Sequence, residues 1–218
     1  MTTKQGMKSK FVNYCHFLTH NCGLLGLTVL FAFVLAPVKS GYADTQIIAV
    51  GTIANNPLGT EDNTLIINGT ANAAEISGGS HTVNGGGKTN NASVSDGTLT
   101  VKSLGTANDT FVYDNGNLTI EKGGKANDSI ITDGTMNLFG KADGTMVSDN
   151  GKLIVEDGGK DENSMIFTDG TLEVKSGGTS NYSEVEGIIE VKGTANNTSV
   201  SGGLMTVSDG GGANDATI

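Results

Sequence analysis

From about residue 62 to its end the chain repeats itself every 18 residues or so. A short fixed period of this kind restricts the fold to a stack of like units. The unit reads most clearly in residues 98–116, 117–134 and 204–218. One column of the self-alignment holds Ile76, Val94, Val112, Ile131, Val147, Ile166, Val185, Val200 and Ile218, and all nine are Val or Ile. Two residues before each stands a small side chain: Ala74, Ala92, Thr110, Ser129, Thr145, Ser164, Ser183, Thr198 and Ala216. The position between them varies freely, from Glu75 to Phe111 to Thr217. Restriction at i and i+2 with freedom at i+1 is strand alternation, one face inward and one outward. The nine aliphatics are therefore expected to form one inward structural ladder.

A second alternating pair opens each unit, as in Leu99 and Val101, Leu118 and Ile120, Leu153 and Val155, or Leu172 and Val174. Gly123-Gly124, Gly158-Gly159 and Gly177-Gly178 mark one corner, and Asp96-Gly97, Asp133-Gly134 and Asp169-Gly170 close the unit. These residues are expected to supply the positive φ that tight bends require. The predicted fold is all-β: a parallel β-helix, or β-solenoid, of about nine coils of roughly 18 residues. Each coil is read as two short strands and two corners, too small to hold a core without its neighbours. At about 4.8 Å per coil, such a stack is a rod on the order of 43 Å long. Residues 44–61 are assigned as an N-terminal cap or degenerate coil, and 62–218 as the repeat solenoid. The last unit stops at Ile218, an inward position without a polar cap to protect the edge. That ending predicts a longer chain, of which 62–218 is the N-terminal part.

The first 43 residues have a different character. Lys4, Lys8 and Lys10 precede an apolar stretch of 14 residues, 23–36, followed by Pro37 and by small residues suited to a cut after Ala43. This is the anatomy of a helical export signal, and the apolar stretch is short for a permanent span. Export through the inner membrane agrees with the cysteines, since Cys15 and Cys22 both lie in the leader and the remainder has none. Past Ala43 the chain carries nine lysines, no arginine and 23 acids, a net charge of −14. Such a surface has no basic stripe to displace counterions, which argues against nucleic acid as a partner.

Gly123-Gly124-Lys125-Ala126-Asn127-Asp128-Ser129-Ile130-Ile131, and Gly211-Gly212-Ala213-Asn214-Asp215-Ala216-Thr217-Ile218, resemble the AIDA-type repeats of autotransporter adhesin passengers. The resemblance covers nearly all of 62–218, each motif being short and the recurrence carrying the likeness. It implies a structural stalk at the cell surface, at the outer membrane or outside the cell, and an outer-membrane barrel beyond residue 218. It further implies adhesion, autoaggregation or biofilm formation, with host cells, neighbouring cells or further copies of the chain as partners. Some relatives carry O-glycans on repeat Ser and Thr, acceptors that are abundant here.

Gly-Gly-x-Ala-Asn-Asp also resembles half of a calcium-binding repeat-in-toxin nonapeptide, which makes Asp109, Asp128 and Asp215 the calcium candidates of an alternative, calcium-dependent secreted solenoid. Against it, Ala126 and Ala213 stand where that motif has glycine, and Asn91 and Asn197 replace the carboxylate in other coils. No cofactor or resident metal is expected. His81, the one histidine after the leader, occupies a Leu/Ile/Met column and reads as a tolerated residue near a cap rather than a catalyst. β-Helices also include polysaccharide-processing enzymes. A chain without arginine, long insertions or a non-periodic acidic cluster lacks the means to build their cleft. The chain is expected not to be an enzyme.

Overall fold

The computed structural model describes residues 44–218; the expected export signal at 1–43 lies outside them. The described residues form an all-β succession of parallel strands in three sheets of ten, ten and nine strands, here called A, B and C. Each coil contributes to A, then B, then C before the chain returns to A. Coil 1 comprises Asp44–Ile48, Ile53–Asn55 and Leu58–Thr60, so the segment assigned as a cap has the same three-strand plan. Nine further coils follow it, beginning with the sheet A strands at Asn63, Ser80, Thr98, Asn117, Thr135, Lys152, Thr171, Ile188 and Leu204.

The sequence reading gave each coil two strands, and the structure corrects this to three. Coil 5 shows why. Asn117–Ile120 lies in sheet A, Lys125–Asn127 in sheet B and Ile130–Thr132 in sheet C. The sheet B strand has three residues and one inward side chain, Ala126, too little for alternation to be seen. Its outward Asn127 gives the strand away in three dimensions. Asn72, Asn90, Asn108 and Asn127 each donate a side-chain N–H to the Asn of the preceding coil at 2.8–3.0 Å. Stacked amides in this register satisfy one another's donors and acceptors, coil upon coil.

The core is the sum of the inward columns. Ile76, Val94, Val112, Ile131, Val147, Ile166, Val185 and Val200 are all buried in sheet C, facing Leu118, Ile120, Leu153, Val155 and their equivalents from sheet A. Ile218 is different: it is 89% exposed. It was expected to face inward, but coil 10 has a neighbour on one side only, so nothing closes over its residues.

The corners supply the positive φ expected of them, one residue of each pair taking it. In the Asp-Gly pairs the aspartate takes the left-handed conformation, with φ of 49° at Asp96, 51° at Asp133 and 66° at Asp169. The following glycine is wanted for another reason. A Cβ on Gly97 would stand 2.5 Å from the Gly78 carbonyl oxygen, and one on Gly170 the same distance from that of Val147. Glycine here admits the backbone of the preceding coil, and the short polar side chain beside it tolerates the positive φ.

Candidate functional site

Three features rise above the uniform stack: a corner lined by carboxylates, a polar cluster in the core and an apolar stripe on the outside. The carboxylates come first because Asp109, Asp128 and Asp215 were the calcium candidates. Each is the first residue of the two-residue corner from sheet B to sheet C, with φ of 50°, 51° and 55°. Asn91, Asn163 and Asn197 fill the same place at 53°, 57° and 52°, and Gly144 at 71°. Asn, Asp and Gly are the residues that enter this region most readily, so the conformation accounts for the column apart from Ala73 and Tyr182, at 50° and 57°. Asp109 and Asp128 lie on consecutive coils and line an open trough of about 430 Å³ with Asp143, Asn90, Asn108 and Asn127. Asp215 belongs to coil 10, far along the stack. Among the described residues no three His, Cys, Asp or Glu side chains converge as a metal site would require.

Inside the solenoid, Asp161 occupies the sheet B column held elsewhere by Ala71, Ala107, Ala126, Ala142 and Ala195. It is fully buried. Ser164 donates to one of its oxygens at 2.5 Å and Ser180 to the other at 2.8 Å, and Ser180 and Ser183 share a third bond of 2.6 Å. Burial pushes the Asp161 carboxyl up to about 6, against the pull of the two hydroxyls, with Asp143 and Glu162 adding to the rise. Sequence reasoning missed this group. A carboxylate in an otherwise small, mostly Ala column was the signal, but the column belongs to the strand that had not been recognised.

His81 was read as a tolerated substitution without partners, and the structure gives it two. Its Nδ1 accepts the Leu65 backbone N–H at 3.0 Å, so its Nε2 carries the proton and donates to the Gly78 carbonyl at 2.8 Å. The ring fills space over Gly59, where a Cβ would stand 2.7 Å from it. Coil 1 thus has glycine in the Val/Ile ladder because coil 3 sends a larger ring across. Burial lowers the His81 pKa, the bond to Gly78 opposing it, and the neutral tautomer is the one the two hydrogen bonds require.

The outward face of sheet C carries the third feature. The column read as unrestricted, Glu75 to Thr217, runs in strand register Leu58, Glu75, Ser93, Phe111, Ile130, Met146, Met165, Glu184, Ser199, Thr217. Its four central members are apolar, and Phe111, Ile130 and Met165 are each 37–39% exposed. Tyr113 stacks on Phe111 with ring centroids 4.9 Å apart, and the half-exposed Phe167 widens the stripe at its other end. A contiguous exposed apolar patch with polar ends is the mark of an interaction surface.

No protein-family model matches this chain, and no curated protein matches it. Among solved structures it is similar to the crystal structure of a TibC-catalysed hyper-glycosylated TibA fragment, with 24% identity and a TM-score of 0.57 over 80% of this chain and 71% of that one. At this level of identity the likeness establishes a shared β-solenoid fold.

Proposed function

We propose that this chain is a non-catalytic adhesin stalk, exported and displayed at the cell surface or released, which joins cells by binding a second copy of itself through sheet C. The observation that carries this reading is the palindromic order of the exposed column. Let two stacks face each other, running in opposite directions with their sheet C strands parallel. Phe111 of one copy then meets Met165 of the other, and Ile130 meets Met146. Ser93 meets Glu184 and Glu75 meets Ser199, so in the eight central coils apolar faces apolar and every Glu faces a Ser, and only the outermost pair, Leu58 with Thr217, departs from the pattern. Stacks running in the same direction would instead bring Glu184 of each copy against Glu186 of the other, a like-charge contact. A self-complementary patch is what a two-fold interface requires.

The contact is small. Eight coils at about 4.8 Å, with strands of about 10 Å, give roughly 400 Å² per copy, half of a standard stable interface. A reversible dimer of roughly micromolar affinity is therefore expected, strengthened between cells by many copies in parallel. Sedimentation velocity over a concentration series should show it. Phe111→Glu alone and Met165→Lys alone should each leave a monomer, while the double variant should restore the dimer. The two positions are three coils apart within one chain, so restoration can come only from pairing between copies. A monomer at every concentration, or a dimer indifferent to Phe111→Glu, would refute the reading.

The fragment similar in fold is hyper-glycosylated by TibC. The outward hydroxyls of this solenoid, such as Thr98, Thr100 and Thr119 on sheet A, offer comparable acceptors, and we extend O-glycosylation to them within this proposal. Mass spectrometry of the chain purified from its own cells should find sugar-sized additions on these residues; unmodified peptides throughout would remove this part.

A further inference from the structure

The coils differ at one corner. Between sheets A and B most coils use four residues, but coils 2, 6 and 9 use two: 68–69, 139–140 and 192–193. A short corner between longer ones leaves a notch. In coil 2 its first residue, Asn68, accepts the Asn84 side-chain N–H, and in coil 9 Lys192 pairs with Glu173. In coil 6 it is Phe139, 39% exposed. The notch there has a volume of about 280 Å³ and is lined by Phe139, Gly140, Gly158 and four lysines, Lys122, Lys125, Lys141 and Lys160, with no carboxylate.

The lysines are unusual in this chain. Lys125, Lys141 and Lys160 are in register on adjacent sheet B strands, so three like charges are stacked about 4.8 Å apart, an arrangement that costs stability. Although acids outnumber lysines by 23 to nine past the leader, the ion pairs among the described residues involve only Lys175 and Lys192, both with Glu173. Asp143 and Glu162 follow two residues further along the same strands, on the same outward face but toward the sheet C edge, and neither lines the notch.

We infer that the notch of coil 6 binds an acidic polysaccharide carrying one carboxylate per sugar ring. The stacked ammonium groups repeat at about the length of one pyranose ring, so successive carboxylates would each meet one lysine. Phe139 offers its face to the C–H side of one ring. The notch holds a single ring, being at the small end of ligand sites. A nucleic acid fits less well, because its denser charge also meets a chain whose net charge past the leader is −14. This inference does not depend on self-association, and the two can fail separately.

Calorimetry of the purified chain with oligogalacturonate should show binding that weakens with salt, and none with oligodextran. Phe139→Ala and Lys141→Ala should each weaken it about tenfold or more, while Lys88→Ala, in the same column at coil 3, should leave it unchanged. Inserting two glycines after Phe139 gives coil 6 a four-residue corner without altering charge, and should abolish binding. Far-UV circular dichroism and the urea midpoint report that each variant is folded. Absence of oligogalacturonate binding would overturn the inference, as would affinity untouched by the insertion or equal affinity for oligodeoxythymidylate.

Discussion

Gly159→Ala is expected to cost about 3 kcal/mol or more of folding free energy, while Gly158→Ala, one residue earlier, costs only about 1–2 kcal/mol. The two glycines look alike in sequence and have opposite reasons for being there. Gly158 has φ of +78° with no atom within 4 Å of where a Cβ would stand, so alanine meets only the intrinsic cost of the left-handed region. Gly159 lies outside that region, but its Cβ would stand 2.1 Å from the Leu138 carbonyl oxygen. That carbonyl accepts the Glu156 N–H at 2.9 Å, so moving it breaks a bond between coils. The same close approach recurs at Gly87, Gly140, Gly193 and Gly211, each with a carbonyl oxygen 2.2–2.4 Å from a built Cβ. Urea midpoints of the two variants decide the matter: equal losses would mean that glycine serves conformation at both positions.

That pair of glycines shows what a one-dimensional pattern reveals and what it hides. Period and burial are visible because a solenoid repeats them, and the Val/Ile column from Ile76 to Val200 needed only counting. The sheet B strands were hidden because alternation needs more than one inward residue, and each offers one, usually Ala. Missing those strands hid Asp161, since a carboxylate in a turn is ordinary and a carboxylate in a buried column is not. Glycine carries two physical meanings under one letter, and only the neighbouring coil's carbonyl tells them apart. The stripe from Phe111 to Met165 was on the page as free variation, and its palindrome acquires meaning once register places those residues on one face. His81 and Gly59 compensate in volume from coils that are not adjacent in the stack, a relation no repeat alignment contains.

Asp161→Ala should make the chain more stable at pH 7.5 by about 2–3 kcal/mol and remove a pH dependence that runs opposite to ordinary acid denaturation. The carboxyl titrates near 6 in the fold against an ordinary 3.8. Below pH 3.8 folded and unfolded chains both hold the proton, and its full stabilising contribution is present. Between 3.8 and about 6 the unfolded chain has released the proton and the folded chain keeps it, so stability falls as pH rises. Above about 6 the contribution is gone, and a charge sits inside the core with two serine hydroxyls for company. His81 acts the other way: its lowered pKa gives stability that is present above 6.5 and lost as pH falls through the folded value. Alanine costs little in packing, because it is the commonest residue of the column, and leaves Ser164 as unpartnered as the buried hydroxyl of Thr145 already is. Urea denaturation should therefore find the variant well above the parent at pH 7.5 and level with it or below it at pH 4. Asp161→Asn, which cannot ionise but retains an oxygen for the serines, should share the altered pH response. A gap of the same size at both pH values would assign the effect to packing and dismiss the buried charge. Because each coil packs chiefly on its neighbours, the weakness should also be local. Hydrogen exchange at pH 7.5 should be fastest, relative to pH 5, in the strands Lys160–Glu162 and Thr179–Asn181 that enclose the cluster.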